Sequence, residues 1–394
     1  MDKQAYRVVT SNVDEMNEKI HRHRRRVLLL TVLVAVLLLG TVTGAYIYLQ
    51  TRHYTEYDVL DSMQREDSSG TRFAVFGGNI IKYNKDGATC IGMDNHMIWN
   101  QTYEMQSPMV DTCEGYAVIA DKKGEKIYIM DMQGPCGEIK TTMPIQRAQV
   151  ANQGTVAILM EQDGTGYLHV YDRKGAFLAE GEVHTENNGY PLDIAISNNG
   201  KKMAVSLLDV NEGNVKTTII FFDFDSAGQE AIDNIVGRFS YADMVFPQVE
   251  YLANNVMAAF GNGKTVIFGG GQEPQVNKEI TAEAEIRSIF YDDTHLGYVY
   301  ASDNGQAPYR MQVFGIDGKE VFSQDFSVDY EEIGFLENGE ICVRGDLECA
   351  IYTLRGWEKF HGNFEKNIQK ILPAGGIRDY IFIKEGETQR IRLK

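Results

Sequence analysis

From Phe73 to the end of the chain one pattern recurs: short runs rich in Val, Ile, Tyr and Phe, broken by Gly, Asn and Asp. Such runs read as strands and such breaks as turns. The clearest copy is Pro108-Met-Val-Asp-Thr-Cys-Glu-Gly115, then Tyr116-Ala-Val-Ile-Ala-Asp121, then Lys126-Ile-Tyr-Ile-Met-Asp131-Met-Gln-Gly134, then Glu138-Ile-Lys-Thr-Thr, which makes four strands and three turns. Other copies begin at Phe73 and near Ile145, Pro191, Phe246, Ile286, Ile333 and Ile371. About eight four-stranded units at this spacing predict an all-β fold, a β-propeller. Because the Phe73 copy is degenerate, seven blades stay open. One sandwich would not consume so many strands, and two would need a linker rich in Pro, Gly or Ser, which the sequence lacks.

The copy running from Ile371 to Leu393 has room for three strands only. Residues 56–65, with their partial alternation, are expected to supply its outer strand. That would join the two ends of the chain and remove the open edges that invite aggregation. Pro108, Pro144, Pro191, Pro247 and Pro373 fall at or near the starts of copies, where a missing N–H is tolerated. The stretch Ser226 to Met244 lengthens the fourth copy, and its spacing of Ala231, Ile235 and Phe239 suggests a helix on one rim.

Ahead of the repeats, residues 27–50 hold no Asp, Glu, Lys, Arg or His. A run of about 20 apolar residues spans the ~30 Å hydrocarbon core as a helix that satisfies its own backbone. His21-Arg22-His23-Arg24-Arg25-Arg26 stands directly before it, and such cations stay on the cytoplasmic side. The expected division is a basic cytoplasmic tail at 1–26, a signal anchor at 27–50, a linker with the ring-closing strand at 51–72, and an extracytoplasmic propeller at 73–394. Tyr46, Tyr48 and Tyr54 suit an interfacial aromatic belt. The competing reading is a cleaved signal peptide, with small residues at Thr43-Gly44-Ala45; the long apolar run and long preceding segment favour the anchor. Gly40 and Gly44 form a GxxxG spacing that lets two helices approach closely, so dimerisation through the span is a secondary expectation. Within the tail, Arg7-Val8-Val9-Thr10 suits a short docking segment.

Formal net charge is −17. The first 26 residues carry seven Lys and Arg against four Asp and Glu, so the exported part is more acidic still. An acidic domain repels nucleic acid and anionic headgroups, and no nucleic-acid partner is expected. The five cysteines, Cys90, Cys113, Cys136, Cys342 and Cys349, include no CxxC, so neither a zinc nor a thioredoxin-like motif is suggested. A two-residue turn at Gly345-Asp346 would set Cys342 opposite Cys349, at a spacing slightly wide for a disulfide; buried free thiols are the preferred reading.

No G-x-S-x-G, HExxH, P-loop or GxGxxG signature is present. The eight histidines are scattered. Acid pairs such as Asp223-Phe-Asp225 and Asp292-Asp293 lack EF-hand spacing, and Asp before Gly is better explained by hairpin turns. Gly269-Gly270-Gly271 reads as a turn, since no Lys-Ser or Lys-Thr follows. Trp99 and Trp357 are expected to pack between blades or sheets. No catalytic, cofactor-binding or metal-binding residue is therefore assigned, and no cofactor is expected.

Two resemblances follow from these residues. Ser197-Asn-Asn-Gly200-Lys-Lys-Met-Ala-Val resembles the S-P-D-G-K turn of propellers related to TolB and to WD repeats. Asp94-Asn-His-Met-Ile-Trp99-Asn100 is faintly similar to the tryptophan-docking turn of quinoprotein propellers, which carry several copies. More broadly, Ile81-Lys-Tyr-Asn-Lys-Asp-Gly87, Ile98-Trp99-Asn100-Gln101, Gly189-Tyr190-Pro191-Leu192-Asp193-Ile194 and Cys349-Ala-Ile-Tyr352-Thr-Leu-Arg-Gly356 resemble an uncharacterised family of single-pass propeller proteins of Gram-positive, largely clostridial, bacteria. That resemblance implies a fold and a location, and no active site.

The functional expectation is a membrane-tethered interaction scaffold, not an enzyme, that meets a cell-envelope or membrane protein. The alternative is a surface enzyme, or a small-ligand or polysaccharide binder, with its site at the axial mouth. That alternative requires Asp, Glu, His, Arg or Tyr side chains to converge there with perturbed pKa values.

Overall fold

The structure, a computed structural model, describes residues 13–68, 70–94, 96–184, 189–211, 213–302, 305 and 307–394. The chain divides into two compact units, Met1–His53 and Tyr54–Lys394.

The first unit is one helix, Val13–Thr51, of 39 residues. Its stretch Met16–Thr51 is long and apolar enough to cross a membrane, with its apolar window wholly unburied. The helix starts well before the apolar run, so residues 13–26 of the basic tail are part of it. Glu, Met, Lys and Arg in this start favour helix, and Glu18 pairs with Arg22 at 2.6 Å, one turn apart. The proposed docking segment Arg7-Val8-Val9-Thr10 lies outside the described residues.

In the second unit the described residues form eight four-stranded sheets, each antiparallel between neighbours. These are blades 1 to 7, at residues 72–102, 108–140, 145–184, 190–242, 248–281, 286–326 and 332–363, and blade 8 at 368–393. The open choice between seven and eight blades is resolved as eight. Blade 8 takes its outer strand from Tyr57–Gln64, which pairs antiparallel with Glu387–Leu393 so that Tyr57 meets Leu393. The ring is thus closed by its own first strand, as the strand count required. First strands of neighbouring blades touch one another, as Ile145–Val150 touches both Pro108–Cys113 and Tyr190–Ile196. These first strands stand around the axis.

Turn chemistry sets the hairpins. In the Ser197 to Lys202 turn, Gly200 takes φ +68°, a left-handed conformation suited to glycine. The Ser197 hydroxyl accepts the Lys202 N–H at 2.9 Å there. Asp172 accepts the N–H groups of Lys174 and Ala176 at 2.9 and 2.8 Å, so its carboxylate shapes a turn. Asp292 does the same for Thr294 and His295.

Three sequence expectations are corrected. The Ser226 to Met244 stretch holds only one helical turn, Ser226–Gln229, and a short 3₁₀ segment, Ile232–Asn234. The rest is the strand Ile235–Ala242, recruited as the outer strand of blade 4; pairing with a ready sheet edge overrides the weak helical spacing. Cys342 does not face Cys349. The tight turn lies at Asp346-Leu347, where the Gly345 N–H bonds the Glu348 carbonyl at 2.8 Å, and Cys342 pairs with Ile351 while Cys349 pairs with Arg344. All five thiols are free, and these two are buried. Trp99 packs as expected, 6% exposed in the core between blades 1 and 2, edge-on to Phe76, but Trp357 is 44% exposed. Trp357 follows Gly356 in a hairpin turn and is capped by the Arg355 guanidinium.

Candidate functional site

Adjacent first strands diverge around the axis, so they share no full ladder, and side chains bridge them instead. The Asp111 carboxylate on blade 2 accepts the Val150 N–H of blade 3 at 2.8 Å. The Gln149 side-chain oxygen of blade 3 accepts the Ile196 N–H of blade 4 at 3.0 Å. Asp193 of blade 4 accepts the Val249 N–H of blade 5 at 3.1 Å. Each polar side chain thus satisfies a backbone donor of the next blade, which an unbridged seam would leave buried and unpaired.

Glu250 breaks this sequence. It sits on blade 5 and receives the Gln149 amide of blade 3 at 3.1 Å and the Tyr291 hydroxyl of blade 6 at 3.1 Å. Gln248 in turn donates to Tyr291 at 2.9 Å. Arg147 of blade 3 reaches Asp193 at 3.2 Å. Burial pushes the Asp111 and Asp193 carboxyls up to about 6. Burial, reinforced by the nearby Asp111 charge, pushes Glu250 up to about 8. Three carboxyls and one guanidinium therefore converge from four successive blades, with one of the carboxyls protonated near neutral pH.

Asp111, Gln149, Glu250 and Tyr291 line a cavity of about 390 Å³, while Arg147 and Asp193 face the opposite mouth. This cavity shares Thr112 and Glu114 with a second cavity of about 420 Å³ toward blades 7, 8 and 1, so the two are halves of one axial space. The second half has an apolar wall of Phe335, Leu336, Ile371 and Leu372. There Glu332 accepts Lys370 at 2.7 Å and Arg344 at 3.1 Å. Burial works against its charge, but Lys370 and Arg344 outweigh burial and hold the carboxyl below its ordinary value. The opposite mouth, about 390 Å³, presents Lys122 and Arg147 beside Gln146 and Gln248.

The axial convergence demanded by the ligand-binding alternative is therefore present. It was not assigned from sequence, although a signal existed: Asp111, Gln149, Asp193 and Glu250 each stand near the middle or end of a first strand, at positions where a buried inner strand would otherwise carry apolar residues. The histidines do not join it. His169, His295 and His361 lie on blades 3, 6 and 7, and His361 is engaged by Glu348 at 2.7 Å. Among the described residues no group of three or more His, Cys, Asp or Glu is placed to hold a metal. Gly269 ends a strand and Gly270 takes φ +119°, as a turn requires.

The profile of a family of unknown function, DUF5711, matches residues 50–393. The chain belongs to that family. The match covers the propeller and brings no assigned site; nothing in it bears on the bacterial source expected above. No curated protein matches the chain. Among solved structures, the C-terminal WD40 domain of Sif2 is similar at TM-score 0.55 and 9% identity, over 86% of this chain and 99% of that one. The Pan2 WD40 domain of Neurospora crassa aligns at TM-score 0.48 and 8% identity, over 87% and 98%. A BBS1N structure in complex with ARL6DN aligns at 0.45 and 9%, over 86% and 98%. The Sif2 likeness shows the propeller fold alone.

Proposed function

We propose that this DUF5711 protein is an interaction scaffold anchored in a membrane by residues 27–50, with its propeller outside the cytoplasm and no catalytic role. The observation that carries this reading is the closed eight-blade ring whose completing strand follows directly on an apolar, unburied helix. A closed ring presents many variable loops on a fixed frame, which suits recognition of a partner. The cation cluster at residues 21–26 supports the inside placement of the N-terminal end. The partner class is an envelope or membrane protein. The test is crosslinking and affinity capture of the full chain from membranes, beside a chain ending at Thr55. Partners seen only with residues 56–394 present support the scaffold; the same set with both chains, or no specific partner, overturns it.

A second reading rests on one specific observation, the meeting of Gln149, Glu250 and Tyr291 in the wall of the axial cavity. These groups hydrogen-bond a polar small molecule or a sugar unit as readily as they do one another. Calorimetric titration with neutral and acidic oligosaccharides checks it: binding that is abolished by Glu250→Gln and Tyr291→Phe supports an axial ligand, and heat-silent titrations remove it.

A further inference from the structure

The propeller is tethered at a fixed point. Tyr54, 1% exposed, bridges Phe360 in the parallel sense. Its N–H donates to the Lys359 carbonyl at 2.8 Å, and its carbonyl accepts the His361 N–H at 3.1 Å. Tyr54 is thus pinned to the outer strand of blade 7, Glu358–Asn363. The helix Val13–Thr51 ends just before it, with only Arg52 and His53 between. Three residue steps of extended chain reach about 10 Å. Whatever angle the helix takes, the rim that holds Tyr54 cannot stand farther than this from the end of the helix. A bilayer's headgroup layer begins where the apolar run stops, near Gln50.

The parallel bridge decides which end of blade 7 receives the chain. Parallel neighbours run the same way, so the chain enters from the end that bears the residues before Phe360. The hairpin turn from Thr353 to Trp357 closes at that end, its Thr353 N–H bonding the Trp357 carbonyl at 2.9 Å. Trp357 stands three residues before Phe360, about 10 Å along a strand. It is 44% exposed where Trp99 is 6% exposed, and the Arg355 guanidinium lies 5.9 Å from its ring.

The turn of blade 8 lies at the same end. Lys359 Nζ donates to the Ile377 carbonyl at 2.5 Å, and the Leu393 N–H to the Arg378 carbonyl at 2.9 Å. The Lys394 N–H donates to the Glu56 carbonyl at 3.0 Å. Arg355, Arg378 and Lys394 therefore stand around the point of entry. Of the acids there, Asp58 lies 3.5 Å from Lys394 and Asp379 2.7 Å from Arg392. The net acidity of the domain is thus offset at this rim, and acids elsewhere on the ring lie beyond the screening length of about 8 Å.

We propose that the Trp357 turn seats the rim of the propeller on the lipid bilayer that holds residues 27–50, with the indole in the interfacial layer and Arg355 and Arg378 on lipid phosphates. An indole favours that layer because its ring is apolar and its N–H polar. Guanidinium groups suit phosphate oxygens through paired N–H donors. Tether and turn then give two points of attachment. This proposal rests on the anchored-scaffold reading and adds the lipid surface as a second contact.

The test uses the full chain in nanodiscs of phosphatidylcholine and phosphatidylglycerol, with acyl chains brominated near the headgroup or left unbrominated. Trp99→Phe leaves Trp357 as the one indole. If that variant fails to fold, the difference between the wild-type chain and Trp357→Phe isolates the same signal. Bromination should quench the Trp357 emission roughly twofold, as expected of an indole at the interface. Arg355→Glu with Arg378→Glu should at least halve that quenching, and undiminished quenching in this variant overturns the phosphate contacts. An indole untouched by bromination and open to aqueous acrylamide overturns the proposal and leaves Trp357 to a protein partner. Extraction separates the two readings. A chain that alkaline carbonate leaves in native membranes, but whose indole is unquenched in the discs, overturns the seat and keeps the anchor. A chain that carbonate releases overturns the anchor itself.

Discussion

The seam between blades 7 and 8 and the seam between blades 3 and 4 lie on opposite sides of the ring, and they are built differently. At the former, Tyr57 stacks on Phe364 at 5.9 Å and meets Phe382 edge-on at 5.5 Å. The Lys384 ammonium lies 5.2 Å from the Tyr57 ring and 5.0 Å from that of Phe364, and donates to the Tyr57 hydroxyl at 3.0 Å. Lys359, 1% exposed, is held by Glu340 at 2.5 Å and by the Tyr380 hydroxyl at 2.9 Å. The chain then leaves blade 8 through Arg65, buried against Asp67 at 2.8 Å and lying over the Phe73 ring of blade 1. At the opposite seam, aliphatic side chains and a 540 Å³ groove take the place of all this. The difference teaches where a ring of equivalent blades needs strength. Seven blades are continuous hairpins, but the eighth is held together by a strand from the far end of the chain, so its seam must resist the loss of a whole strand.

Removing residues 1–64 breaks the comparison most severely. Without Tyr57–Gln64 the strand Glu387–Leu393 becomes an open edge. The expected outcome is loss of a single cooperative melt and aggregation, read by light scattering during a thermal ramp, while a chain of residues 54–394 melts as one unit. Next in size is a pair of matched truncations. Phe382→Ala, in the fully buried aromatic cluster, should cost about 3–5 kcal/mol. Phe222→Ala, at the open seam where the side chain is only partly buried, should cost about 1–2 kcal/mol. Chemical denaturation of both variants checks this, and equal losses would erase the contrast.

A smaller effect distinguishes the axis from the closing seam by pH. Asp111, Asp193 and Glu250, raised to about 6, 6 and 8, titrate near 4 when unfolded. The folded chain thus keeps protons that the unfolded chain has released. The stability they contribute is complete below about pH 4 and is lost as pH rises through 6 and then 8. Glu387 runs the other way. The Ser62 hydroxyl and the Gln389 amide hold it at about 2, so its contribution is present above about pH 4 and is lost as pH falls toward 2. Melting temperature should therefore fall between pH 6 and 9, with Glu250→Gln flattening the upper part of that fall. An unchanged slope in this variant would remove Glu250 from the account. The smallest expected effect is at the groove itself: Gly181→Ala should stabilise by about 0.5–1 kcal/mol, because glycine within a strand is costly and the added methyl meets open contacts.

Much of this architecture was legible because it is local. Blade starts expected at Pro108, Ile145 and Ile286 coincide with first residues of strands, and those at Phe73, Pro191 and Ile333 fall one residue inside them. Alternation and Gly turns are written within a few residues of each other. The closing strand was legible by counting, since three strands remained where four were needed. The Cys342 register was not, because Gly345 suggested the turn position and the chain turns one residue later. Asp111, Gln149 and Asp193 were visible as polar residues on first strands, but their partners lie on the next blade, about 40–55 residues on. The groove was illegible for the same reason. It depends on Ala179 and Gly181 facing Phe222 across a seam, which no single strand records.

Closure by the first strand also imposes an order in time. Tyr57 has no strand partner until Leu393 exists. At about 5–20 residues per second of synthesis, the strand Tyr57–Gln64 waits on the order of tens of seconds, apolar side chains included, while seven blades form behind it. A ribosome that stops before Leu393 therefore releases a ring that cannot shut, and synthesis of the strand Glu387–Leu393 becomes the event that lets the ring close.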